Sequence, residues 1–518
     1  MGSLEVSHLG WSLPGGQVLL DDVSFRVGEG EHVALVGANG AGKSTVMRLI
    51  SGTETGAAGT IAIQGSLGVM TQLVGSLGAT TSVRDLYVSL SSPRIQRAAQ
   101  DLTRAEAEMA DGTGDGMKYA RALDSWESVG GYDAEVHWEE CAHRVVGLPW
   151  RDLEARPMAT FSGGEQKRMA LEFLLRSEHE MLLLDEPDNF LDVPGKEWLA
   201  ARLRATAQSV LYVSHDRELL AATSDKVVTL EAQGAWTHGE SFSTWREARE
   251  ARIERINDEQ RCWADERRRL LNHMKEQKRR AAMSDANASR ARAAETRLRH
   301  FDEAGRPAEA ASDQHIDMRL AGGRTGKQVV VCEQLELSDL TFPFDLDIWF
   351  GERVAVLGRN GTGKSHFLRL LAGGDVAHGG SWRLGARVVP GLFNQTHEHP
   401  DLVGRVLSDI LASRDLQRGP AMARLRRYEL EGSADQPWET LSGGQQARFQ
   451  ILQLELDGAN LLLLDEPTDN LDVASAEALE AGLAIFEGTV MCVTHDRFVA
   501  FFDDAEVQEV ADPAVAWS

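Results

Sequence analysis

The chain of 518 residues is 42% hydrophobic and 26% charged, enough for about three domains of roughly 150 residues each. Its 54 Lys+Arg against 79 Asp+Glu leave a formal charge of −25, which excludes binding nucleic acid through a globally basic surface, so any basic site must be local. The four cysteines, Cys141, Cys262, Cys332 and Cys492, form no CxxC pair, which argues against zinc fingers, iron–sulfur clusters and a secreted disulfide framework. The first ten residues, MGSLEVSHLG, carry no basic segment followed by an apolar run, and no stretch approaches the ~18 consecutive apolar residues of a membrane span. The expectation is a soluble, cytoplasmic protein.

In chain order, HVALVG at 32–37 predicts a strand leading into a glycine-rich turn, with a helix starting near Lys43. MLLLDE at 181–186 and SVLYVSH at 209–215 predict buried parallel strands. The same text then returns. VALVGANGAGKST (33–45) recurs as VAVLGRNGTGKSH (354–366), FSGGEQKR (161–168) as LSGGQQAR (441–448), LLLDEPDNFLD (182–192) as LLLDEPTDNLD (462–472), and VSHDR (213–217) as VTHDR (493–497). Ser162 to Asp185 and Ser442 to Asp465 both span 23 positions, and Asp185 to His215 and Asp465 to His495 both span 30. The chain is two copies of one unit, at 1–240 and 330–518, around a different segment at 241–329. Strands alternating with helices in each copy predict an α/β fold with a mostly parallel sheet and ligands at the carboxyl ends of its strands.

The chemistry follows from the repeated motifs. GxxxxGKS runs from Gly37 to Ser44 and from Gly358 to Ser365, each between a strand pattern and a helix pattern. Backbone N–H groups of such a loop crowd around phosphates, and Lys43 and Lys364 neutralise phosphate oxygens. Asn39, Gly40, Gly42 and Thr45 belong to the first loop, and Asn360, Gly361, Gly363 and His366 to the second. Ser44 with Asp185, and Ser365 with Asp465, are the expected Mg²⁺ ligands. Glu186 and Glu466 end hydrophobic strands, where a carboxylate can orient and deprotonate an attacking water. His215 and His495 follow the next strand, where an imidazole can hydrogen-bond a terminal phosphate.

Phe161-Ser162-Gly163-Gly164 and Leu441-Ser442-Gly443-Gly444 resemble the signature of the ATP-binding cassette (ABC) ATPases. That resemblance implies two tandem P-loop ABC ATPase domains that sandwich two ATP molecules, with Mg²⁺, within a monomer. It makes Gln72 and Gln395 the Q-loop glutamines, serving both catalysis and the metal. One composite site would take Lys43, Ser44, Gln72, Asp185, Glu186 and His215 with Ser442 and Gly444. The other would take Lys364, Ser365, Gln395, Asp465, Glu466 and His495 with Ser162 and Gly164. Aligning LEVSHLGW (4–11) with LELSDLTF (335–342) makes Trp11 and Phe342 equivalent, and both are candidates for adenine stacking. The family's usual DEPTNHLD reads DEPDNFLD, with Asp188 and Phe190, in the first copy and DEPTDNLD, with Asp469 and Asn470, in the second.

The middle narrows the class. Two ATPase domains separated by a charged helical linker resemble the ABC-F class, whose members act on ribosomes. From Arg267 to Arg299 eleven Lys/Arg stand against three acidic residues, a local +8 in a chain whose remainder is −33. Such contrast suits contact with a phosphate backbone, and Lys275, Lys278, Arg279, Arg280, Arg290 and Arg292 are the candidate RNA contacts. Ile256, Trp263, Leu270 and Met274 on one helix and Ala291, Ala294, Leu298 and Phe301 on another predict a packed antiparallel α-helical hairpin. A further 43 positions separate Gln72 from Ser162 compared with Gln395 and Ser442, and the surplus predicts a helical, arm-like insertion at about 92–147. The resemblance implies ribosome binding, through rRNA and in some members tRNA, with ribosome-protection antibiotic resistance or general translation control as the outcome. The alternative is the ATP-binding subunit of an exporter working with separate membrane proteins.

Overall fold

The computed structural model describes the chain except residues 1, 14, 17, 72–73, 75–76, 78–79, 232–233, 282–287, 308–315, 339, 359–360, 395–401, 469–470, 494–507 and 510–518. The candidates Gln72, Asn360, Gln395 and His495 lie outside the described residues, as do Asp469 and Asn470. The chain divides into two units, Met1–Gly239 with Gln314–Ser518, and Glu240–Asp313. No helix among the described residues is long and apolar enough to cross a membrane.

In the first half, β1 (Ser3–Ser12), β2 (Val18–Val27), β3 (His32–Gly37), β4 (Ala58–Gln64), β5 (Leu67–Met70), β6 (Met181–Asp185), β7 (Ser209–Val213), β8 (Lys226–Glu231) and β9 (Gly234–His238) form two sheets. The larger runs β5-β6-β7-β3-β8-β9, parallel apart from the β8–β9 edge pair. Every residue of β6 and β7 is buried, which is why they read as continuous apolar runs and not as alternating ones. The smaller, antiparallel sheet is β2-β1-β4. Helices are α1 (Lys43–Ser51), α2 (Val83–Leu90), α3 (Pro93–Ala110), α4 (Gly116–Ser128), α5 (Gly131–Val146), α6 (Trp150–Leu153), α7 (Gly163–Leu174), α8 (Val193–Ala205) and α9 (Arg217–Thr223). α3, α4 and α5 occupy the surplus segment. They pack with α2 and α7 around Tyr87, Trp126, Trp138 and Phe173, with Tyr87 stacked 6.5 Å from Trp138 and Trp126 tilted 6.1 Å from it.

The second unit is a hairpin of α10 (Phe242–Ala281) and α11 (Ala288–Glu303). At 1.5 Å per residue the 40 residues of α10 extend about 60 Å. Trp263 stacks on Phe301 at 5.6 Å, and Leu270, Ala291 and Ala294 are buried in the seam between the helices.

The second half repeats the first with β10 (Gln328–Leu337), β11 (Phe344–Trp349), β12 (Arg353–Leu357), β13 (His378–Leu384), β14 (Pro390–Phe393), β15 (Leu461–Asp465), β16 (Thr489–Val493) and β17 (Gln508–Glu509). A parallel sheet runs β14-β15-β16-β12-β17, and an antiparallel one β11-β10-β13. Its helices are α12 (Lys364–Leu371), α13 (Leu407–Ala412), α14 (Arg418–Arg427), α15 (Gly443–Asp457) and α16 (Val473–Ala484).

Register corrects one expectation. β1 shifts register between Val6 and Leu9, with His8 at φ 52°, and β10 shifts between Cys332 and Leu335, with Gln334 at φ 47°. Matching the two bulges sets buried Leu4, Val6 and Leu9 against buried Val330, Cys332 and Leu335. Trp11 then corresponds to Leu337 and not to Phe342. Phe342 lies in the β10–β11 connection, 53% exposed.

Candidate functional site

Each phosphate loop connects a parallel strand to a helix. Gly42 and Gly363 are the N-caps of α1 and α12 in the left-handed region, at φ 98° and 93°, a conformation that costs an L side chain energy but not glycine. This geometry lets the chain turn at once into a helix whose first N–H groups point back to the loop. Lys43 and Lys364 are the first helical residues and are buried. Lys43 Nζ donates to the carbonyls of Gly37 at 2.8 Å and Ala38 at 3.2 Å, and Lys364 Nζ to Gly358 at 2.7 Å. Thr45 is buried on α1, whereas His366 is exposed on α12.

At the ends of β6 and β15 the carboxylates line up with the loops. Ser365 Oγ donates to Asp465 Oδ1 at 3.0 Å, and Ser44 hydrogen-bonds Asp185. Asp185 is 6% exposed, and its Oδ1 has no hydrogen-bond partner among the described residues. A hydroxyl beside a buried carboxylate with an unfilled lone pair is an oxygen donor set that fits Mg²⁺. Burial raises the Asp185 carboxyl above its ordinary value, opposed by Ser44, Lys167 and Lys43.

Glu186 and Glu466 follow in the left-handed region, at φ 51° and 48°, and each backbone N–H returns to the adjacent strand, at Val213 and Val493, both at 2.9 Å. The Glu186 carboxylate accepts a hydrogen bond from Asn189 Nδ2 at 2.7 Å and lies 3.9 Å from His215 Nε2. Burial, then the nearby Lys43 ammonium, push the His215 imidazole down to about 3, so it is neutral at physiological pH and able to donate through one ring nitrogen.

Ser162 and Ser442 cap α7 and α15, each accepting from the backbone N–H three residues on, Glu165 at 3.2 Å and Gln445 at 3.3 Å. Gly163 and Gly443 open these helices, and Gly164 and Gly444 follow. The structure sets the first phosphate loop against the second half's signature helix. A Cβ on Gly444 would collide with the Asn39 side chain, so a larger residue there would have to displace Asn39. The Asn39 N–H donates to Asp472 Oδ2 at 2.8 Å. Asp472 lies within electrostatic reach of Lys43, and Asp192, its counterpart in the first half, within reach of Lys364.

Sequence reasoning did not single out Asp472, Asp192 or Arg217. Arg217 Nη2 donates to the Val473 carbonyl at 3.3 Å and pairs with Glu477 at 3.7 Å and Glu480 at 3.5 Å across the two halves. The two aspartates end the repeated LLLDEP stretch in both copies, a signal that was present in the text. Arg217 likewise ends the repeated VSHDR stretch, but its partners, about 260 positions away, could not be read from it. Trp11 is half-buried at the end of β1, paired with Leu20, whose side chain lies beside Gly42.

Comparison with known proteins agrees with this arrangement. The family model described as "ABC transporter" matches residues 20–189 and 342–469. The chain is 47% identical to an "Antibiotic resistance protein" of Mycobacteroides abscessus, over 99% of this chain and 100% of that protein. It is 30% identical to "ABC transporter F family member 2" of Arabidopsis thaliana, over 93% of this chain and 73% of that protein. In fold it is similar to a solved structure titled "Crystal structure of the complex of archaeal ribosomal stalk protein aP1 and archaeal ribosome recycling factor aABCE1", with a TM-score of 0.54 at 18% identity, covering 96% of this chain and 86% of that one. With two P-loop units, two signature helices and full-length similarity of this kind, the chain belongs to the ABC family, in its F class, and is an ATP-binding ATPase.

Proposed function

We propose that the protein is a cytoplasmic ABC-F factor that closes on two Mg-ATP, binds the ribosome through its basic hairpin and leaves after hydrolysis. Lys43 and Lys364 hold the transferred phosphates, and Ser44 with Asp185 and Ser365 with Asp465 hold Mg²⁺, which supplies charge neutralisation to the phosphate oxygens. Glu186 and Glu466 orient and deprotonate the attacking water, while the neutral imidazole of His215 donates to the terminal phosphate. Ser442 and Gly444 complete the first site from the opposite half, and Ser162 and Gly164 the second. Antibiotic resistance is the outcome favoured by the name of the 47%-identical relative, and ribosome protection is the form of it that fits the hairpin reading.

The observation that carries the ribosome reading is the charge of the hairpin. Lys275, Arg279, Arg290, Arg292 and Arg297 are exposed and have no ion pair among the described residues. Lys278 instead pairs with Glu295 at 2.9 Å and Arg280 with Glu276 at 2.9 Å, so these two candidates have competing partners within the hairpin. Exposed pairs of that sort hold their partners weakly and can exchange for phosphate. The test is co-sedimentation with purified ribosomes in ATP, using the Glu186→Gln/Glu466→Gln chain to trap the closed state. ATP-dependent pelleting with ribosomes is the expected result, and recovery with membranes and not with ribosomes would replace this reading by the exporter subunit.

A further inference from the structure

From the signature stretch onward, counterpart positions in the two halves lie 280 apart, as Ser162 and Ser442 do. By that rule the first half holds a set of buried charges that the second lacks. Lys167 on α7 is fully buried, and its Nζ donates to the carbonyl oxygen of Glu186. The Phe190 ring lies 5.9 Å from the same nitrogen. Asp188 is 3% exposed and within electrostatic reach of both Lys167 and Asp216, and Lys196 Nζ pairs with Asp216 Oδ2 at 3.1 Å. The counterparts of Lys167, Asp188 and Lys196 are Ala447, Thr468 and Ala476, all uncharged. A buried ammonium or carboxylate is costly alone and tolerated when compensated, so buried Lys167 and Asp188, with part-buried Lys196 beside them, behave as one unit.

The unit joins two ends of the machinery. Lys167 lies just over one helical turn beyond Ser162, on the helix whose start faces the Lys364 site in the proposed sandwich. The carbonyl it holds belongs to Glu186, at the Lys43 site. Glu186 sits in the left-handed region, and Lys167 adds a hydrogen bond that ties its carbonyl to α7 without being required for that backbone conformation. Glu466 adopts the same backbone conformation with Ala447 in place of the lysine.

We propose that Lys167, with Asp188 as its counter-charge, is a positioning residue that clamps the Glu186 backbone to the signature helix of the same half, giving the Lys43 site a mechanical tie to the Lys364 site that Ala447 and Thr468 cannot supply in the reverse direction. The proposal rests on the reading of Glu186 as the water-activating carboxylate. Movement of α7 on nucleotide binding at Lys364 would then re-aim Glu186, whereas movement of α15 would leave Glu466 unaffected by this route.

The test uses the full chain carrying Glu466→Gln, so that turnover reports the Lys43 site. Lys167→Ala/Asp188→Thr installs the pair that the second half already accommodates, which protects the variant from an uncompensated buried charge. Its ATPase kcat is expected to fall about 10- to 100-fold, the scale of a small misplacement of a reacting group, with KM for ATP within about twofold. Lys167→Arg/Glu466→Gln, which keeps a donor to the carbonyl, should recover a larger share of kcat than the alanine–threonine pair. Unchanged kcat in a Lys167→Ala/Asp188→Thr chain of parental melting temperature overturns the proposal, as does an equal loss in the arginine variant. If Glu186→Gln in the same background retains turnover, the assignment of Glu186 is what fails; if it abolishes turnover while the alanine–threonine pair does not alter kcat, only the positioning role fails.

Discussion

The backbone N–H of Asn39, in the first phosphate loop, donates to the Asp472 carboxylate of the second half at 2.8 Å, across 433 positions of sequence. The same carboxylate caps α16 by accepting from the Ser475 N–H at 2.8 Å, so one aspartate starts a helix in its own half and holds a loop in the other. Burial works to raise this carboxyl, but the hydrogen bonds from Ser475 and Asn39 outweigh burial and hold it below its ordinary value. It therefore stays ionised in the interface at neutral pH.

Replacing Asp472 separates these two duties. Asp472→Ser keeps a capping oxygen for α16 but removes the charge facing Asn39 and Lys43, whereas Asp472→Ala removes both. The serine variant should keep most of the melting temperature while weakening ATP binding at the Lys43 site, by the ~1.5–3 kcal/mol that a hydrogen bond to a charged group contributes. The alanine variant should lose about a further 1 kcal/mol of stability with the cap. Thermal melts and nucleotide titrations in the Lys364→Ala background measure both effects. Equal nucleotide affinity in serine variant and parent would remove Asp472 from the site.

Glu186→Gln combined with Glu466→Gln should reduce ATPase turnover by at least about 100-fold while ATP still binds, since the phosphate loops and the Ser44–Asp185 and Ser365–Asp465 pairs are left whole. Steady-state phosphate release alongside equilibrium nucleotide binding tests this. A chain that lost binding and turnover together would point to a structural duty for these residues, consistent with the left-handed backbone at both.

The motifs were legible because the chemistry they carry lies in short contiguous stretches: a loop that must wrap a phosphate needs Gly42 next to Lys43, and no distant residue can supply that turn. The repeat made them unmistakable and also exposed the buried apolar strands β6 and β15. The hairpin seam was legible for a related reason, as Trp263, Leu270, Ala291 and Ala294 keep a helical spacing that survives in the packed pair. Other features depend on contacts that no local pattern encodes. Aligning the text from its first similar letters put Trp11 opposite Phe342, while the fold aligns on the bulges at His8 and Gln334, five positions away in relative register. Arg217 and Lys167 both fall in quoted repeat stretches, but what distinguishes them is the partner each meets after folding, Glu480 in one case and the Glu186 carbonyl in the other.

Thiol reactivity gives a pH-dependent check on the core. Burial pushes the Cys141 and Cys332 thiols up to about 12, and Cys492 is raised by burial as well, whereas Cys262 is exposed on α10. The thiolate is the reacting species, so at pH 8 a maleimide should label one cysteine per native chain, at Cys262, and four after denaturation. The sign for stability follows from the same shifts. A thiol whose folded pKa lies above the unfolded value of about 8.5 contributes stability that is intact below pH ~8.5 and lost as the pH rises toward 12. The melting temperature should therefore fall on going from pH 8.5 to 10.5, and less so in a Cys332→Ala chain. Rapid native labelling of Cys141 at pH 8 would show that the α5–α7 packing opens readily.

The hairpin prediction distinguishes its cations from one another. Neutralising Lys275, Arg279, Arg290 and Arg292 together, each exposed and without an ion pair among the described residues, removes charge with no competing carboxylate. Ribosome association should weaken, and the slope of log affinity against log salt should become shallower by on the order of 0.7–0.9 for each RNA phosphate that no longer meets a cation. Neutralising Lys278 and Arg280 should have a smaller effect per residue, because Glu295 and Glu276 already offset part of their charge. Ribosome-free ATPase activity should change little in either variant, since the substitutions lie more than 70 positions from either signature motif and in the separate helical unit. Salt-dependent co-sedimentation of the two variants beside the parent reads all of this out. If the paired set weakened binding as much per residue as the unpaired set, local carboxylates would not be screening those cations. If neither set altered binding at any salt concentration, the hairpin would not be the RNA-contacting element, and the helices α3 to α5 of the first half would be the next surface to test.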